Sequence, residues 1–70
     1  MPFTNKNRAA RCAKVLARYQ TGDTKTDCLV DFLADARHWC DRNGQDYAKL
    51  DRLAYDHYLA EVSEERGGAR

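Results

Sequence analysis

After Pro2 no proline interrupts the chain, and β-branched residues are sparse beside Ala, Leu, Arg, Lys and Asp. Straight-chain residues lose little rotamer freedom on a helix, and without proline no interior N–H is missing, so helix is favoured over sheet throughout. The remaining question is where the helices start, stop and turn their apolar faces.

Ala9, Cys12, Leu16 and Tyr19, with Val15 beside them, recur at three-and-four spacing and predict an amphipathic helix over about 5–20, capped by Thr4 or Asn5. The stretch 20–26 reads as a linker with Gly22 as its breaker. Leu29, Phe32, Leu33, Ala36 and Cys40, with Trp39 at the edge, form the stripe of a second helix over 27–43. Thr26 or Asp27 is expected to cap it, and Gly44 to stop it in the left-handed region. Asp46 should cap a third helix over 46–65, ended by Gly67 and Gly68, with 66–70 as a flexible tail. The expected architecture is one all-α domain over 1–70. Its second and third helices form an antiparallel pair, because their connection is short, and the basic first helix packs across them.

A chain of 70 residues buries only about 60% of its unfolded surface, and such a core rarely supplies more than roughly 3–5 kcal/mol. Domains of this size usually add a disulfide, a metal or another chain. The cysteines are three, Cys12, Cys28 and Cys40, and the opening Met-Pro-Phe-Thr-Asn is polar and short, so reduced thiols in the cytoplasm are expected. On one helix Cys28 and Cys40 would lie about 18 Å apart, beyond bridging range. No apolar run has the roughly 20 residues of a membrane span. Association with a protein partner or a second copy is left as the staple.

The third helix points the same way. Leu50, Leu53, Ala54 and His57 occupy one arc, Tyr55, Leu59 and Val62 a second, and Tyr47 and Tyr58 lie between them, leaving Lys49, Arg52 and Asp56 as the polar strip. A helix apolar this far round is either buried on two sides or meets a partner, and Tyr is a residue type favoured at interfaces. Tyr55, Tyr58, Leu59 and Val62, with Trp39 as a nearby aromatic anchor, are therefore the candidate partner-binding residues. In the competing arrangement the first helix lies across this face within one monomer.

Charge is divided unevenly along the chain. Residues 1–22 carry five cations (Lys6, Arg8, Arg11, Lys14, Arg18) and no carboxylate, whereas 23–70 carry seven cations and eleven carboxylates, for a total of +1. Arg8, Arg11, Lys14 and Arg18 share a helical face and could neutralise successive phosphates or meet an acidic partner. Against a nucleic-acid role stand the near-neutral total and the ready intramolecular counterpart in Asp27, Asp31 and Asp35, so self-pairing or solvation is the preferred expectation. A helix-turn-helix built from the second and third helices would carry Asp46, Asp51 and Asp56 into a phosphate-lined groove, which is electrostatically poor.

Metal and catalytic readings find little support. Cys12, Cys28, Cys40, His38 and His57 lack CxxC or HxxxH spacing, and His38 and Cys40 point about 200° apart on a helix, so no metal or cofactor is expected. Glu61-Val-Ser-Glu64 has the ExxE spacing of magnesium-dependent helical pyrophosphatases but lacks their second acidic motif. No phosphate loop or activated nucleophile can be assembled, and a chain this short has little room for a 300 Å³ pocket, so the expectation is a non-enzyme.

The stretch LVDFLADARHWCDRNGQDY from Leu29 to Tyr47, followed by AYDHYLAE from Ala54 to Glu61, resembles a recurring pattern in small uncharacterised proteins of bacterial plasmids, integrated elements and phages. The opening FTNKNRAA from Phe3 is similar to their amino termini, and the short linker around Gly22 is where the likeness departs. The resemblance carries no known chemistry and transfers no catalytic residue. It implies a mobile-element accessory protein, a class that often acts by binding host or element machinery, antiviral defence complexes included.

Overall fold

A computed structural model of the chain describes residues 3–67. It contains three helices and, among the described residues, no strand: α1 (Asn5–Leu16), α2 (Lys25–Arg42) and α3 (Tyr47–Glu65). The expected tail at 66–70 falls mostly outside the described residues.

Local chemistry sets most of the boundaries. Thr4 caps α1 through a reciprocal box in which its hydroxyl accepts from the Asn7 N–H, while the Asn7 side chain accepts from the Thr4 N–H. Thr24 and Asp27 form the same box on α2, so the cap is Thr24 rather than Thr26 or Asp27, and α2 starts two residues earlier than its apolar stripe suggests. Asp46 caps α3 by accepting from the Lys49 N–H. Gly44, at φ +66°, lets the chain turn so that the Gln45 N–H closes on the Cys40 carbonyl at 2.9 Å, the six-residue closure typical of a glycine stop.

α1 is shorter than its periodicity predicts. It ends at Leu16, and the chain turns through Ala17 and Arg18 so that Tyr19 reaches α2. There the Tyr19 carbonyl accepts from the Cys28 thiol, and its ring meets Phe32 edge-on with centroids 5.5 Å apart. The linker passes so close to the first turn of α2 that a Cβ on Gly22 would overlap the Asp27 side chain, which is why glycine is required there.

The connection at Gly44 makes α2 and α3 an antiparallel pair, with Arg37 of α2 stacked over the Tyr47 ring at 4.2 Å near the turn. α1 crosses between their far ends. Its first turn bonds to the end of α3, where the Asn5 amide donates to the Glu61 carbonyl and to Glu65, and Arg8 pairs with Glu61 at 3.2 Å. Its other end approaches the start of α2 at Cys28.

A helix of 12 residues is about 18 Å long, roughly twice the separation of packed helices, so α1 holds the far ends of α2 and α3 apart. The radius of gyration is 14.4 Å, against about 11 Å for a compact domain of this length. The expected stripe of α2 is consequently only half covered. Cys28 and Cys40 are buried, Phe32 and Ala36 are half-buried, and Leu29 and Leu33 remain exposed. Both buried cysteines carry free thiols. No described helix is long and apolar enough to cross a membrane.

Candidate protein-interaction surface

α3 contains no buried residue. Of the predicted binding residues, Tyr55 and Tyr58 are each 57% exposed, Leu59 47% and Trp39 59%, while Val62 is half-buried beside the Asn5–Glu61 contact. α1 therefore does not lie across this face. It touches α3 only around Glu61 and Glu65, so the alternative in which the amino-terminal helix shields the second arc is not realised at Tyr55 and Leu59. The Tyr55 and Tyr58 rings stack with centroids 6.3 Å apart and present one continuous aromatic ledge.

The first arc is open as well, which the sequence did not suggest. Leu50 and Leu53 are exposed, and Leu50 and Ala54 face Phe32, Leu33, Ala36 and Cys40 across a groove of about 670 Å³ between α3 and α2. Trp39, Tyr47 and Tyr19 complete its walls, and Asp35 and Asp51 supply its polar edge. A second hollow of about 540 Å³ lies between the end of α1 and the start of α2, bounded by Ala13, Leu16 and Cys28. Both exceed the 300 Å³ expected to be out of reach for 70 residues. They do so because the helices are splayed and the hollows lie open along them, not because an enclosed cavity has formed.

The predicted basic face divides. Arg8 pairs with Glu61 and donates to the Phe3 carbonyl, and Arg11 sits over the Phe3 ring at 4.7 Å from its centroid. Lys14, near the end of α1, and Arg18, in the turn beyond it, form no ion pair among the described residues. The acidic residues of α2 are engaged only by neutral groups. Asp27 caps the helix and Asp31 accepts from the Thr21 hydroxyl. The Tyr19 phenol has its pKa raised by desolvation, by a hydrogen bond to Asp35, and by the charges of Asp35 and Asp31. Among the described residues Arg8–Glu61 is the sole ion pair, so of the two expected fates of the basic face, pairing with Asp27, Asp31 and Asp35 or solvation, the pairing is not realised.

Elsewhere the described residues bring together no three His, Cys, Asp or Glu side chains able to hold a metal. Cys28 and Cys40 are buried at opposite ends of α2, and Cys12 is exposed on α1. What the surface offers is a contiguous apolar strip along α2 and α3, bordered by charges of both signs, and such a strip suits macromolecular contact. Compared with known proteins, the chain matches no family model, no curated protein and no solved structure.

Proposed function

We propose that the protein is a non-enzymatic protein-interaction module whose apolar face is completed by another chain. The observation that supports this is α3: 19 residues whose apolar side chains extend round both sides of the Lys49, Arg52 and Asp56 strip, interrupted by Asp51, Glu61 and Glu64, and no side chain buried. A soluble monomer seldom leaves so large a contiguous apolar area in water, because each Å² covered gains about 25 cal/mol. Tyr55, Tyr58 and Leu59, with Val62 at the margin and Trp39 across the groove, are the contact residues, and the aromatic ones supply large area at little entropy cost. On the resemblance to mobile-element accessory proteins, the setting is a bacterial cytoplasm and the role is to modulate or inhibit a host complex such as an antiviral defence system.

The test substitutes Leu59→Asp together with Val62→Asp. Association is expected to disappear while circular dichroism retains the helical signal, since both positions lie on one face of a helix capped elsewhere. Association that survives the double substitution removes the proposal.

The ion-pair-free Lys14 and Arg18 favour one other reading, an accessory nucleic-acid contact along α1. It requires affinity that falls steeply with salt and is lost in Arg11→Glu with Arg18→Glu. A titration at two ionic strengths separates it from apolar docking.

A further inference from the structure

Resting on the reading above, we propose that the chain completing this domain is a second copy of itself. The two copies dock about a two-fold axis so that each covers the other's α2–α3 groove, and the basic stripe ending α1 lies along the acidic stripe of α2 in the opposite copy.

The first argument is area. A compact monomer of 8.0 kDa exposes about 4,450 Å² on the size scaling of folded proteins. This chain exposes 6277 Å². The excess, about 1,800 Å², falls within the roughly 1,000–2,500 Å² that each subunit of an obligate homodimer buries. Leu33, Trp39, Leu50, Leu53, Tyr58 and Leu59, on the groove and the ledge beside it, are among the large apolar residues left exposed.

Charge chooses the occupant. Among the described residues Lys14 and Arg18 have no ion pair, and neither have Asp31 and Asp35. In a two-fold interface, residue i of one copy meets residue j of the other and j meets i, so a chain with a cationic segment and an anionic segment is complementary to itself. A different protein would have to reproduce both signs at matching positions, whereas a second copy carries them by construction. The total of +1 leaves little net repulsion between copies.

The burial pattern agrees. With only Cys28 and Cys40 buried, the isolated chain has a small core, and a partner that is always at hand adds burial that the single copy lacks. A second copy is present wherever the first is made.

The experiment uses size-exclusion chromatography with light scattering on the full chain over a concentration series, followed by two charge-reversal variants. Wild type is expected at twice the 8.0 kDa chain mass. Lys14→Glu with Arg18→Glu, and separately Asp31→Lys with Asp35→Lys, are each expected to weaken the dimer by at least about tenfold, because each places like charges together. Mixing the two variants should restore a heterodimer of twice the chain mass, since both contacts are then again of opposite sign.

A dimer that reversal does not weaken, or that mixing does not restore, overturns the proposed pairing. A wild-type monomer at every concentration overturns the self-association itself. In that event binding of a hydrophobic dye such as ANS distinguishes the two readings. A dye-binding monomer leaves the interaction module standing with a foreign chain as occupant, and a monomer that binds no dye removes both.

Discussion

α2 and α3 are nearly equal in length, at 18 and 19 residues, and about half of each is apolar, yet only α2 buries anything. The difference lies in what flanks them. Cys28 is covered where the chain leaving α1 folds back, through the Tyr19 carbonyl, and Cys40 where the Gly44 turn closes on its own carbonyl. α2 is thus sealed at both ends by connecting segments. Among the described residues α3 is covered by a connecting segment at its start, and at its far end it meets the polar first turn of α1. Short loops can bury the ends of a helix but not its middle, and the middle of α3 requires another helix.

The groove provides the largest expected effect that would break this comparison. Leu33→Asp with Leu50→Asp places two carboxylates on facing apolar walls and should abolish association in analytical ultracentrifugation. Lys49→Ala with Arg52→Ala, on the polar strip of the same helix, should leave the sedimentation profile unchanged. Equal effects from the two pairs would mean that the apolar side of α3 has no special role.

Gly44 sharpens the contrast at the sealed end. Gly44→Ala forces a side chain into the left-handed region and should cost about 1 kcal/mol in a urea titration, with nothing nearby for the new methyl to contact in return. The smallest effect belongs to the polar corner. Arg8 and Glu61 are each about 30% exposed at the side chain, so a double-mutant cycle on Arg8→Ala and Glu61→Ala should return a coupling of no more than about 1 kcal/mol. A much larger coupling would show that this corner, rather than the groove, holds α1 in place.

How far each feature was legible depended on its range. Thr4, Gly44 and Asp46 act through neighbours three to five residues away, and their roles follow from the residues alone. The start of α2 was also readable. Thr24 followed three residues later by Asp27 forms a capping box, two residues ahead of the start that the apolar stripe predicts. The end of α1 at Leu16 could not be read in this way, because no breaker stands there. The helix gives way to contacts that Tyr19 makes with Cys28 and Phe32, nine and thirteen positions further on. Periodicity identified the broad apolar arc of α3 but did not single out Leu50, Leu53 and Ala54, which the splayed helices leave open.

The sequence by itself determined that this chain is helical, where two of its three helices are capped, and that α3 carries apolar residues around most of its circumference, because propensity, capping and periodicity all operate within a few residues. The tertiary structure alone decided that α1 props α2 and α3 apart, that the basic and acidic stripes fail to meet, and that the intended core stands open. Those outcomes depend on where helix ends meet in space. A strut of about 18 Å between two longer helices is roughly twice the separation of packed helices, so their faces stay open.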